Sequence, residues 1–236
     1  DAPNSSEVRW VRVADRGADI EFYLRDCIAR NHGFVVRAAQ NRSLVGENGE
    51  LETLKLFEKA RSIPALGEFE LHLRSRPGQA ERIAHLSVSV CQVRLRSSYQ
   101  PGHSRGSRPA IACSVVRVWE ANPAPGIEAL EWFLLCDQPI HSFEQALECV
   151  LQYATRWVIE EYHKGLKTGL GAEDLQLETA HRLFAAIALM GVVAVRLLAI
   201  KEGARTQPVA PASKSGLSLL ELQVLAEVLK RELSTV

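Results

Sequence analysis

The chain has 236 residues, of which 47% are hydrophobic and 24% charged, with 28 basic and 28 acidic side chains in balance. That length and composition describe a folded protein with room for a sizeable core, and they exclude a disordered or uniformly polycationic chain. Cys27, Cys91, Cys113, Cys136 and Cys149 show neither CxxC nor Cys/His ligand spacing. They read as reduced, mostly buried thiols, which excludes a disulfide scaffold and a zinc ribbon and points to the cytoplasm.

Val8 to Ala14 reads as a strand that ends at Asp15. Ile20, Tyr23, Leu24, Cys27 and Ile28 then recur at helical spacing, and Phe34 to Arg37 is a short strand. Strand, helix, strand is the opening of an α/β layer. A short helix is expected around Leu54 to Ala60. Alternation in Phe69-Glu-Leu71-His-Leu73 and in Leu86-Ser-Val88-Ser-Val90 predicts β-hairpins over residues 67–118, with turns at Pro77-Gly78 and Pro101-Gly102. Trp132 to Cys136 reads as a buried strand.

One helix is expected from Phe143 to Thr168 and a second from Thr179 to Lys201. The second contains the longest apolar run, Leu183 to Val195, whose 13 residues are too few to span a bilayer. It is therefore expected to be a core helix, with no membrane partner. Residues 203–216 read as a linker, and Ser218 with Glu221 forms a capping-box signal for a last helix, Leu219 to Leu233. No signal-peptide pattern is visible.

Charge is unevenly placed. Residues 74–117 carry Arg74, Arg76, Arg82, Arg94, Arg96, Arg105, Arg108 and Arg117 against a single acid, Glu81. Such a stretch suits either a phosphate-facing surface or a set of solubilising outward strand faces. Within the first predicted long helix, at helical periodicity, Tyr153, Arg156, Glu160, Lys164 and Lys167 fall in an arc of about 80°. A carboxylate among cations on one helix face suits a site where metal meets phosphate. The same pattern also describes a solvated face, with Glu160 and Lys164 as an i,i+4 ion pair.

The spacing Tyr153-x2-Arg156-x3-Glu160-x6-Lys167 resembles the YREK signature of DDE transposases of the insertion-sequence-four branch. Two more blocks are similar to that family: Asp15-Arg-Gly-Ala-Asp19-Ile with Phe34-Val-Val-Arg37, and Trp132, which lies 21 residues before Tyr153. The resemblance implies a partial ribonuclease-H-like α/β core whose first strands, with the first catalytic Asp, lie outside this chain. It also implies a β-strand insertion and C-terminal helices. The corresponding segments are residues 1–39 of the core, the Arg-rich β insertion at 40–128, the rest of the catalytic core at 129–202, and a linker with the start of a C-terminal helical region at 203–236.

The activity so implied is cut-and-paste DNA transposition, in which two Mg²⁺ ions (or Mn²⁺) held by carboxylates promote in-line phosphoryl displacement. Nicking, hairpin formation and opening, and strand transfer are its steps. By the resemblance Asp15 and Glu160 are the catalytic metal-binding carboxylates, although Asp15 also stands where a helix N-cap would. Asp19 is expected to be a supporting or surface group on the polar side of its helix. Tyr153, Arg156, Lys164, Lys167 and Arg37 are the implied DNA contacts, and Trp132 is the platform for a base flipped from the duplex. Trp132 also fits a core position and Arg37 a strand-end surface position. The implied partners are transposon-end and target duplex DNA and a second copy in a homodimeric synaptic complex, at the bacterial nucleoid. The alternative is a catalytically inactive, truncated transposase that inhibits by binding DNA or by dimerising.

Overall fold

The computed structural model describes residues 8–73, 81–98, 108–206 and 216–229. The chain divides into a unit that ends at Arg156 and a unit that starts at Trp157.

The first unit is built on strands β1 (Val11–Ala14), β2 (Gly33–Arg37), β3 (Gly67–Leu73), β4 (Arg82–Leu95), β5 (Ile111–Glu120) and β6 (Glu131–Cys136). They form a mixed six-stranded sheet of order β1-β2-β6-β5-β4-β3. β1 and β2 are parallel, and the other neighbours are antiparallel. Helix α1 (Glu21–Ala29) makes the crossover between β1 and β2, as a parallel pair requires. The fold is therefore α/β. The expected β insertion at 40–128 contributes β3, β4 and β5 to this same sheet.

Period-two alternation gives the sheet two apolar faces. On one, Phe34, Val36, Val93, Val115, Phe133 and Leu135 pack with Leu24 and Cys27 of α1 and with Leu56 and Ala60 of α2 (Leu56–Ser62). On the other, Val35, Val88, Val116 and Leu134 pack with Ala146, Cys149, Val150 and Tyr153 of α3 (Phe143–Ala154). Those four α3 positions are spaced i, i+3, i+4, i+7, so α3 buries one stripe. All five cysteines are buried and free.

The last helix before the unit boundary also fixes a glycine. A Cβ on Gly67, at the start of β3, would stand 2.4–2.9 Å from three ring carbons of Phe143. Gly67→Ala is therefore expected to cost about 1–3 kcal/mol by overpacking. Urea unfolding reads this, and an unchanged midpoint would show that the ring moves aside freely.

Three sequence expectations change here. First, α1 buries only the middle of its predicted stripe: Leu24 and Cys27 are buried and Tyr23 packs on the core, but Ile20 and Ile28 are half exposed, whereas Glu21 is buried. Second, Asp19 is no surface group. It precedes α1, is buried, and accepts hydrogen bonds from the amides of Ala39 and Gln40 (2.8 Å each) and from Arg42 (Nη2 to Oδ1, 2.6 Å). Third, the long helix is interrupted. α3 stops at Ala154 and α4 (Trp157–Lys164) begins after Thr155-Arg156. The Thr155 hydroxyl donates to the Gln152 carbonyl (2.7 Å), and the Arg156 amide bonds three residues back, to Tyr153 (3.1 Å). A hydroxyl competing for a helical carbonyl and a tightened last turn are sufficient reason for the break.

In the second unit α4 leads into a π-helical turn, Gly165–Gly169, then to α5 (Ala180–Thr206) and α6 (Leu219–Leu229). The predicted capping box is present: the Ser218 amide donates to Glu221 Oε2 (2.8 Å) and the Glu221 amide to Ser218 Oγ (3.3 Å). α5 was expected from Thr179 to Lys201 as a core helix. It runs for 27 residues, through Arg196, but it is not buried as a core helix would be. By length and composition it is long and apolar enough to cross a membrane. Its Phe184, Leu189 and Val192 are each 69–72% exposed, and Ala194 is buried. The turns expected at Pro77-Gly78 and Pro101-Gly102 lie outside the described residues, as do residues 207–215 of the expected linker and the last predicted turn of α6. Residues 203–206 of that linker are helical.

Candidate functional site

The C-terminal ends of β1 and β2 and the N-terminal end of antiparallel β6 leave the sheet on the same side. Ala14 pairs with Val36 and Arg37 with Leu134, so Asp15, Arg16, Arg37 and Trp132 gather at one sheet end. Chain direction and alternation alone produce this grouping. Val35 and Arg37 share the α3-side face of β2, and Trp132 and Leu134 share that face of β6. The buried stripe of α3 ends there with Tyr153.

The Arg37 guanidinium carbon lies 5.8 Å from the Trp132 ring centroid, and the Trp132 and Tyr153 centroids are 6.1 Å apart at 55°. Arg37 Nη2 donates to the Glu131 carbonyl (3.5 Å). Burial holds the Arg37 pKa below its ordinary value, and the nearby charges of Arg16 and Arg156 push it the same way, against the opposing effect of Tyr153. The charges of Arg16 and Arg156 thus bear on Arg37, which itself lies beside the Trp132 ring. Cationic groups held together against their mutual repulsion suit an anionic ligand, and the rings offer a stacking surface. Arg16 was missed in the sequence; its one signal was its place directly after Asp15.

Individual predicted residues stand as follows. Asp15 is exposed at the end of β1, and its Oδ1 accepts the Gly17 amide (2.9 Å), capping a 3₁₀ turn. Tyr153 is buried against the sheet, not displayed on an outer helical face. Trp132 is half buried and packs against the same core. Arg156 lies in the turn after α3. Glu160, Lys164 and Lys167 belong to the second unit, so the five-residue arc of a single helix is not realised. Glu160 is half buried on α4, and Lys164 is exposed. Lys167, in the π turn, pairs with Glu173 (2.6 Å). Glu161 pairs with Lys201.

Among the described arginines of the Arg-rich stretch, three are engaged within the first unit. Arg82 pairs with Glu120, Arg108 lies 3.0 Å from Glu21, and Arg117 lies 2.9 Å from Glu131. These arginines tie the sheet together, while Arg94 is exposed. Arg74, Arg76 and Arg105 lie outside the described residues.

The metal expectation was tested against the donors. Asp15 has one oxygen committed to a turn, and Asp19 is committed to Arg42 and two amides. Among the described residues no group of three or more His, Cys, Asp or Glu side chains could hold a metal ion. A two-metal phosphoryl-transfer centre needs several carboxylate oxygens around each ion, and the described donors do not fit it. No protein-family model matches the chain.

Proposed function

We propose that this chain is the catalytic-core portion of a DDE transposase of the YREK branch, with a ribonuclease-H-like sheet, and that its first unit grips and distorts a DNA end. The supporting observation is the convergence of Arg37, Trp132 and Tyr153, named from three separate sequence blocks, with Arg16 and Arg156 beside them. In this reading the arginines neutralise backbone phosphates, and the Trp132 ring stacks on a displaced base. Within the second unit, Lys164 and Lys167 are further phosphate contacts in this reading. The resemblance also makes Asp15 of the first unit and Glu160 of the second carboxylates for Mg²⁺ or Mn²⁺, and a second copy a partner in the synaptic assembly.

The second reading, a DNA-binding or dimerising inhibitor without cleavage activity, is favoured by the donor set. Among the described residues no three His, Cys, Asp or Glu side chains are grouped as a metal site.

Both readings are tested with the same 236-residue chain. A hairpin-forming duplex end is titrated in Ca²⁺ at several salt concentrations, and its cleavage is followed in Mg²⁺. Binding that weakens steeply with salt is expected, because each neutralised phosphate releases counterions. Cleavage that disappears in Glu160→Ala supports the enzyme, and binding without cleavage supports the inhibitor. Salt-independent or undetectable binding at low salt would sink the enzyme and the DNA-binding form of the inhibitor, leaving dimerisation to be read from the oligomeric state.

A further inference from the structure

Glu131 is the first residue of β6 and Trp132 the second, so their side chains emerge on opposite faces of the sheet. On the face away from Trp132, Arg61 donates to both Glu131 oxygens (Nη2 to Oε2, 2.5 Å; Nε to Oε1, 3.1 Å), and Arg117 Nε donates to Oε1 (2.9 Å). Both arginines are braced on rings. The Arg61 guanidinium carbon lies 5.4 Å from the Phe133 centroid, and that of Arg117 lies 4.1 Å from the Trp119 centroid. The hydrogen bonds from Arg61, with those from Arg117, hold the Glu131 carboxyl below its ordinary range against its partial burial, so it is ionised at neutral pH. On the Trp132 face, the carbonyl of this same residue accepts Arg37 Nη2.

The entry to β6 is fastened a second time. Glu120, paired with Arg82, accepts the Leu130 amide (3.4 Å). The residue before Trp132 is thus fixed by its side chain on one face, and its carbonyl helps to orient the guanidinium beside Trp132 on the other.

We propose that Glu131, strutted by Arg61 and Arg117, is a positioning residue that sets the Trp132–Arg37 platform from the far side of the sheet. It thereby governs how well a displaced base is held. This rests on the DNA-end reading above. Glu131 itself touches no nucleotide, and its effect passes through the β6 backbone.

The test uses the full chain and a duplex end carrying 2-aminopurine at the base expected to leave the stack, in Ca²⁺. Fluorescence amplitude at saturating protein reports extrusion, and a titration of the plain duplex reports affinity. Glu131→Gln keeps the shape and removes the charge that the two arginines grip. It is expected to reduce the amplitude about fivefold while duplex affinity stays within about twofold, because stacking and phosphate contacts are separate contributions. Arg61→Met is expected to reproduce the loss in part, and Glu131→Asp to restore much of it. Trp132→Ala, with Glu131 intact, is expected to abolish the amplitude.

A wild-type amplitude in Glu131→Gln, with none in Trp132→Ala, would overturn the positioning role and leave the platform standing. A wild-type amplitude in Trp132→Ala would remove the platform and this role with it. Parallel loss of amplitude and affinity in Glu131→Gln would mark a general weakening of the fold, and would also overturn it.

Discussion

Asp19→Ala is expected to lower the stability of the first unit by about 3–5 kcal/mol, the usual cost of breaking a buried ion pair from one side. Asp19 is 1% exposed and Arg42 9%, so water cannot compensate the guanidinium left behind. The carboxylate also receives the amides of Ala39 and Gln40, where the chain leaves β2. Ala39 and Gln40 are themselves exposed, so water offsets part of what their amides lose, and their share of the cost is smaller than that of the ion pair. A double variant separates the two contributions. Replacing a buried pair by apolar residues can be neutral, but Asp19→Leu with Arg42→Met still strands both amides. It should therefore remain clearly less stable than wild type. Denaturant unfolding measures this, and a double variant as stable as wild type would show that the amides find other partners.

Arg37→Met is expected to change stability and DNA affinity in opposite directions. The guanidinium sits partly buried, and burial with the charges of Arg16 and Arg156 disfavours its charge against the opposing effect of Tyr153. Removing that charge is expected to raise the melting temperature slightly. Loss of one phosphate contact should weaken duplex-end binding about tenfold at low salt and lower the salt slope by about one. Calorimetry and a salt titration of the same variant report the two quantities. A variant that melts earlier and binds as wild type does would make Arg37 a structural residue.

Much of the sheet was legible because alternation is local. Phe69 to Leu73, Leu86 to Val90 and Trp132 to Cys136 fall in β3, β4 and β6. The Ser218–Glu221 box was legible for the same reason, since its partners are three residues apart. Asp19 was misread because its burial depends on Arg42 and on the amides of Ala39 and Gln40, which no periodicity connects to it. The five-residue arc assumed an unbroken helix, and one hydroxyl at Thr155 is enough to interrupt the ladder. α5 is apolar all round, and such a sequence does not specify what covers it. Arg37, Trp132 and Tyr153 were each singled out through the family resemblance, and their grouping comes from the fold. The contribution of Arg16 and the grip on Glu131 from the opposite face arise from cross-strand register, which the sequence does not display.

The strand order has a consequence for how the chain acquires this fold. β2, nearly all apolar, takes β1 as its first neighbour from close by in sequence, but its second is β6, with Val35 opposite Cys136. During synthesis at ordinary ribosomal rates, the roughly one hundred intervening residues take about 5–20 s to appear. Through that interval β2 has an unpaired hydrogen-bonding edge, the kind of surface on which nascent chains stick to one another. Slow translation or high expression without chaperones should therefore favour aggregates seeded by residues 33–37, and closure of the sheet centre by β6 should be the late event of folding.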